Sequence, residues 1–242
     1  MNPELSVALR SAAAAGDLLR RDFLRDAKVT DGRGKDIKTQ ADVAAEALIL
    51  SHLQPTGIPV LAEEGVDKTL DLDHRVWLVD PLDGTLNFTR GFAMAAVSVA
   101  LWDNGEPVLG VVHDIFHGRV YSGQVGEGAW CDDRTVRVSD VDAPGNAVLA
   151  TGFPSGRSYD TDSLLGFVHS VQSYKKVRML GSAALMLAQV AAGHFDVYEE
   201  EDIYLWDVAA GLALVRAAGG EFSMQPGSGP FKYRVRASNG RV

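Results

Sequence analysis

Two short apolar runs each stop at carboxylates, and this arrangement constrains the fold more than any other feature. Val60-Leu61-Ala62 runs into Glu63-Glu64, and Val76-Trp77-Leu78-Val79 runs into Asp80. Continuous apolar runs of this length read as strands buried inside a sheet, with polar groups delivered at their ends. The chain around them supplies helices. Asn2-Pro3-Glu4 reads as a helix start, with Asn as cap, Pro in the first position and an acid in the first turn. Leu5, Leu9, Ala12, Ala13, Leu19 and Phe23 keep helical spacing, and Asp31-Gly32-Arg33-Gly34 breaks it. A second helix is predicted from near Thr39 to before Pro55, with Ala45, Leu48, Ile49 and Leu53 inward.

Residues 95–138 read as strands separated by Gly, Asp and Asn turns, with Gly126-Glu127-Gly128 as a hairpin turn. After Pro144 strands and helices alternate. Ser182 caps a helix reaching Ala192, Phe195–Glu199 reads as a strand, and Trp206–Ala218 reads as a helix closed by Gly219-Gly220. The expectation is one compact unit with a shared cleft. Residues 1–140 form an α+β half with the main acidic motif, and residues 141–242 form an α/β half.

That motif is Asp80-Pro81-Leu82-Asp83-Gly84-Thr85-Leu86-Asn87-Phe88. Two carboxylates three residues apart can converge across a turn, Pro81 stiffens the turn, and Gly84 lets the backbone approach a ligand. A hard cation such as Mg²⁺ takes oxygen ligands of this kind. A tight turn in which Asp83-Gly84 reverses the chain accounts for the same residues. Asp207 can equally be a first-turn charge on a helix dipole, and Glu63-Glu64 a solvated loop. Thr39-x-x-Asp42 fits a capping box, and Ser182 is a sufficient cap without any ligand. The six histidines show no metal spacing, and Cys131 reads as a strand or core residue.

The formal net charge of −9 argues against an electrostatic grip on nucleic acid or anionic membrane. A chain so acidic that binds an anion needs local positive charge, which bound metal cations supply. One cysteine rules out an internal disulfide. No basic-then-apolar leader follows Met1, and no apolar run approaches the roughly 20 residues that span a bilayer. A cytoplasmic protein is expected.

Taken together, the segments resemble the inositol monophosphatase family. The resemblance rests on Asp36-Ile37-Lys38-Thr39-Gln40-Ala41-Asp42, on Glu63-Glu64, on Asp80 through Phe88, and on Trp206-Asp207-Val208-Ala209-Ala210-Gly211. It runs from about Asp36 to Asn239. It implies a layered αβαβα sandwich and a phosphatase that uses two to three Mg²⁺ ions. Glu63, Asp80 and the Leu82 carbonyl match ligands of a first ion, and Asp80, Asp83 and Asp207 those of a second. Gly84 and Thr85 match the phosphate cradle, and Asp42 matches the acid that orients the Thr85 hydroxyl. Gly181-Ser182-Ala183 matches a segment beside the substrate, and Glu200 matches a carboxylate that meets substrate hydroxyls.

The implied reaction is attack by a metal-activated water, with Glu63 and Thr85 taking its proton and no covalent phosphoenzyme. The expected substrate is myo-inositol monophosphate; histidinol phosphate and a 3′-phosphoadenosine nucleotide are the alternatives. Glu201 and Asp202 suggest a cationic leaving group, and Arg157, Lys175, Lys176 and Arg178 leave room for a second phosphate. The resemblance also implies a homodimer and lithium sensitivity. Leu86 is expected to face the core. A haloacid-dehalogenase-like reading of Leu82–Leu86 lacks its first acid, because Pro81 stands two residues before Asp83. A regulatory or scaffold protein that keeps the fold is the reading from another class.

Overall fold

The computed structural model describes residues 2–24, 29–33, 36–65, 71–153 and 160–242. Helix α1 (Pro3–Leu18) begins as its sequence predicts: Asn2 Oδ1 accepts the Glu4 N–H at 2.8 Å, and Pro3 holds the first position. It runs on into a π-helical turn over Leu19–Phe23. The stretch expected to be a simple break is instead a hairpin of β1 (Val29–Arg33) and β2 (Asp36–Thr39). Helix α2 (Gln40–Leu53) starts at a capping box of Thr39 and Asp42. Its Ala45, Ile49 and Leu53 are buried, while Leu48 is only partly covered.

Among the described residues two large sheets form. The first holds β3 (Val60–Ala62), β4 (Val76–Asp83), β5 (Ala96–Asp103), β6 (Glu106–Asp114), β7 (Val120–Gln124), β8 (Gly128–Cys131) and β9 (Arg134–Val136) in chain order. β3 pairs parallel with β4, and the later neighbours are antiparallel. The short helix α3 (Thr85–Thr89) joins β4 to β5. The second sheet holds β10 (Val148–Thr151), β11 (Lys176–Arg178), β12 (Val197–Tyr204), β13 (Glu221–Pro226) and β14 (Lys232–Ser238), in the order β11-β10-β12-β14-β13. Helices α4 (Thr161–Gln172), α5 (Ala183–Ala191) and α6 (Leu205–Ala217) complete the chain.

Strand alternation builds the layers, because successive side chains of a strand point to opposite faces. Trp77 and Val79 of β4 join Leu5, Ala12, Ile49 and Leu53 of α1 and α2 in one core. Val76 and Leu78 join α5, α6 and inward residues of the second sheet, such as Ala150, Val235 and Ala237, in the other. α5 and α6 therefore lie between the sheets, and α4 covers the far face of the second, across a cavity lined by residues of β10, β12 and α4. The result is the layered α+β sandwich expected.

Three local expectations need correction. β4 does not stop at Val79; it continues through Asp83, and its pairing with β5 shifts register between Asp80 and Asp83. Pro81 has no N–H for the ladder, so an irregularity there is the accommodating geometry. The strand expected over Phe195–Glu199 begins at Val197 and does not stop at Glu199; it carries the acids Glu200–Asp202 on to Tyr204, and its register shifts between Glu200 and Ile203. Leu86 does not face the core and is 49% exposed. Phe88 takes the inward position of α3, and residues two apart on a helix point away from each other.

Candidate active site

The first floor of the site is the irregular end of β4. Asp80 is buried, and its Oδ1 accepts the Leu82 N–H at 2.9 Å, which holds the turn that presents the Leu82 carbonyl. Gly84 follows in the left-handed region (φ 83°), and a side chain there would meet the Met94 carbonyl at 2.7 Å. Glycine alone combines that φ with that closeness. Thr85 then opens α3, and its hydroxyl lies 3.1 Å from Asp42 Oδ1 and 3.0 Å from the Leu82 carbonyl.

Asp42 answers to both readings that its sequence allowed. Its Oδ2 accepts the Thr39 N–H at 2.8 Å and the Thr39 hydroxyl at 2.5 Å, so it closes the capping box. Its Oδ1 is left to receive the Thr85 hydroxyl. A carboxylate has acceptor sites for both tasks. Burial pushes the Asp42 pKa up, against the Thr39 and Thr85 hydrogen bonds.

Asp83 reaches across the molecule. Its Oδ2 accepts the Ser182 hydroxyl at 2.5 Å and the Ala184 N–H at 2.8 Å, and Oδ1 accepts the Ala183 N–H at 3.3 Å. The amides at the start of α5, expected to face substrate, face this carboxylate. Ser182 nonetheless caps α5 as predicted, accepting the Leu185 N–H at 3.3 Å. Gly181 is tied in from the other side, since Asn87 Nδ2 donates to the carbonyls of Leu180 (2.7 Å) and Gly181 (3.1 Å).

The remaining acids close around this floor. Glu63 is exposed just past β3, with its N–H bonded to the Val79 carbonyl. Asp207 sits in the first turn of α6, and buried Glu200 comes from β12. Their proximity shows in their acidities. Asp80 is raised well above the usual carboxylate range by burial, then by Glu63, Asp83 and Asp207. Asp207 is raised likewise by burial, then by Glu63, Asp83 and Glu200. Burial lifts Asp83 to about 6 even though Ser182 and the α5 amides pull it down.

Among the described residues no three His, Cys, Asp or Glu side chains form a group ready to hold an ion. Asp83 is turned into α5 and Asp80 onto the Leu82 amide, which accounts for part of that spread. The donors still fit a hard divalent cation, being carboxylates and one carbonyl that repel one another until positive charge enters.

Sequence reasoning missed several supporting residues. Glu46, one helical turn after Asp42, accepts the Glu64 N–H at 2.9 Å, and Lys38 pairs with the Glu64 carboxylate. Together they brace the segment that carries Glu63. The i, i+4 spacing of Asp42 and Glu46 was a legible sign that one face of α2 is acidic. The Asn87 tether and Tyr198, whose hydroxyl donates to Glu200 at 2.8 Å, had no local sign.

The site is a set of largely buried acids brought together from strand ends and helix starts of a layered sandwich. A profile of the inositol monophosphatase family matches residues 1–240. The chain belongs to that family and is a phosphatase. It is 40% identical over 232 residues to an inositol-1-monophosphatase of Rhizobium meliloti, covering 93% of this chain and 86% of that protein. It is 37% identical over 224 residues to the Nus factor SuhB of Xylella fastidiosa, covering 90% and 80%. Its structure resembles an inositol monophosphatase from Anabaena with TM-score 0.82, 33% identity and coverage of 98% and 91%. The extragenic suppressor protein suhB of Bartonella henselae superposes with TM-score 0.86, 31% identity and coverage of 99% and 95%.

Proposed function

We propose that this protein hydrolyses myo-inositol monophosphate or a closely similar polyol phosphate, using Mg²⁺ held by Glu63, Asp80, the Leu82 carbonyl, Asp83 and Asp207. The observation that carries this reading is the gathering of Asp80, Asp83 and Asp207, each raised by burial and the first and last also by Glu63 and Asp83, on the strand and helix ends that include the Asp42-bonded Thr85 hydroxyl. Two to three bound Mg²⁺ ions would lower the pKa of a water and offset charge on the phosphoryl group. The protein's own groups do the rest. Asp42, anchored by Thr39, accepts the Thr85 proton and leaves the Thr85 oxygen to accept one from the attacking water. Glu63, exposed just past β3, takes that proton onward, and as the bond from phosphorus to the leaving-group oxygen breaks, that oxygen takes a proton from a water near Asp207. Gly84 and Thr85 begin a helix that no side chain caps, so their amides suit an anionic oxygen. Glu200 accepts hydrogen bonds from leaving-group hydroxyls. No residue is phosphorylated along this route.

The structure weakens the case for a cationic leaving group such as histidinol. The Asp202 carboxylate already binds the Ser228 N–H (2.7 Å), the Ser228 hydroxyl (2.8 Å) and Lys232 Nζ (3.1 Å). Glu201 lies 3.8 Å from Arg234 Nε. Of the basic residues considered for a second phosphate, Arg157 lies outside the described residues.

The test is phosphate release from a panel of inositol, histidinol, adenosine 3′- and sugar phosphates, with and without Mg²⁺. Glu63→Gln is the control, since Asp83 also caps α5. Metal-dependent turnover of inositol phosphate above the other esters, abolished in Glu63→Gln, is the expected result. Equal turnover without Mg²⁺ refutes the metal assignment, and solvent oxygen-18 absent from phosphate after a single turnover refutes direct attack by water.

A second reading has an observation of its own: relatives at 37% identity are named Nus factors. A regulatory role through a partner surface is compatible with the same fold. If Glu63→Gln abolishes hydrolysis yet restores every phenotype of a deletion strain, that role prevails. We also propose a homodimer. Leu86 (49%), Phe92 (52%) and Met179 (47%) are exposed, and the Asn87 tether draws their segments together. Sedimentation of Phe92→Asp against wild type decides this.

A further inference from the structure

Glu200 is seated by two neighbours that none of the active-site motifs includes. Tyr198 is two residues earlier on β12, so both side chains point to the same face of the strand. Tyr198 is fully buried, and its hydroxyl donates to Glu200 Oε2 at 2.8 Å. A buried phenol needs such a partner, because an unmade hydrogen bond inside the protein is costly. Burial, then the Glu200 charge, pushes the phenol pKa well above its ordinary value, so the hydroxyl stays a donor. Gly152 also lies against the carboxylate. A Cβ on Gly152 would lie 2.6 Å from both Oε1 and Oε2. The Gly152 φ is not in the left-handed region, so glycine is needed here for space and not for backbone geometry.

We infer that Tyr198 and Gly152 are positioning residues that fix the Glu200 carboxylate and thereby set the preference for a hydroxylated leaving group. This rests on the proposed contact between Glu200 and the leaving group. Tyr198 fixes the carboxylate through one oxygen. A carboxylate has about four acceptor sites, more than the phenol uses. The fixed carboxylate meets a hydroxyl without first losing rotamer freedom, which is where preorganised contacts gain their affinity. β12 itself holds the pair in place: Tyr198 is in register with Ala150 on β10 and Ala237 on β14, and Glu200 with Val235. The seat thus belongs to the second sheet, whereas the phosphate floor belongs to the first.

The experiment compares inositol 1-phosphate with p-nitrophenyl phosphate, whose leaving group offers no free hydroxyl to Glu200, at saturating Mg²⁺. Tyr198→Phe keeps the ring and removes only the donor. KM for inositol phosphate is expected to rise roughly fivefold to tenfold with kcat within about twofold. Both constants for p-nitrophenyl phosphate are expected to stay unchanged. Gly152→Ala should raise KM for inositol phosphate in the same selective way. In a Glu200→Ala background, Tyr198→Phe should add nothing, as expected for residues acting through one carboxylate.

A loss that falls equally on both substrates makes Tyr198 a packing residue and overturns the inference. If Glu200→Ala raises KM for inositol phosphate but Tyr198→Phe does not, the Glu200 contact stands and the positioning role fails. If Glu200→Ala discriminates neither substrate, the contact itself is wrong and the inference falls with it.

Discussion

The two walls of the cleft are built differently. The wall that carries Asp80, Leu82, Asp83 and Thr85 is rooted in β4, every residue of which is buried. It is bonded to α2 through Asp42 and to α5 through Ser182. The wall that carries Glu200 belongs to β12, whose outer face looks onto α4 across a cavity of about 250 Å³. Ten of the thirteen residues of α6 are buried, whereas no described residue of α4 is. The strand that carries Asp80 and Asp83 is therefore buried along its length, whereas the outer face of β12 is covered by a helix with no buried described residue. A phosphoryl group is the constant of this chemistry and the leaving group the variable. A rigid floor with a more loosely covered flank lets specificity change without disturbing the proposed metal ligands.

The contrast can be broken most directly at its rigid end. Asp80→Asn or Asp207→Asn should lower Mg²⁺-dependent turnover on the order of 100- to 1,000-fold, the scale of losing a central charge-stabilising group. Steady-state phosphate release measures it, and a loss under about tenfold would place the chemistry elsewhere. Next in size is the difference between helices. Leu212→Ala in α6 should cost about 2–5 kcal/mol of unfolding free energy, and Leu165→Ala in α4, at a residue 49% exposed, within about 0.5 kcal/mol. Urea midpoints compare them, and equal costs would erase the distinction.

A finer effect concerns the joint between the sheets. Ser182→Ala removes both the α5 cap and a donor to Asp83, and should cost roughly 1–2 kcal/mol while leaving Mg²⁺-dependent activity measurable. No loss of stability would mean that the Ala183 and Ala184 amides suffice for Asp83.

The smallest effect lies beneath the rigid wall. His113, 3% exposed, lies against Gly16 of α1, and among the described residues neither ring nitrogen makes a well-formed hydrogen bond. Burial lowers its pKa below 6.5, while Asp17 and Asp114 push it up and Arg20 pushes it down. The folded protein therefore binds this proton less readily than the unfolded chain does. The stability it contributes is complete above about pH 6.5 and is lost as the pH falls below that value. His113→Leu should therefore gain on wild type as the pH is lowered from 8 to 5.5, by thermal melting. A constant difference across that range would show that His113 does not titrate on unfolding.

Much of this was legible beforehand, for identifiable reasons. Asn2, Thr39 and Ser182 announced helix starts, because a cap acts over two or three residues and shows in local sequence. The alternation of Trp77 and Val79 with Val76 and Leu78 has a clear sheet consequence, although as a run of apolar residues it showed burial and not which face went where. Leu86 was misplaced because a five-residue helix has too few turns for periodicity to orient it. The strand expected to end at Glu199 was cut short because a run of acids has no apolar pattern to extend it, while pairing with β14 and with Arg234 and Lys232 accommodates the acids in a strand.

The sequence by itself determined which acids are available and at which strand and helix ends they stand, since those are local properties of apolar runs, caps and turns. It left each acid with two readings. The tertiary structure added the contacts that each acid makes with residues remote in the chain. Asp42 caps α2 and orients Thr85. Asp83 stands beside Asp80 and also receives α5 from 100 residues away. Glu200 rests against a phenol and a glycine. A carboxylate's acidity and orientation are set by whichever donors and charges the fold brings within a few ångströms, and those neighbours are remote in the chain.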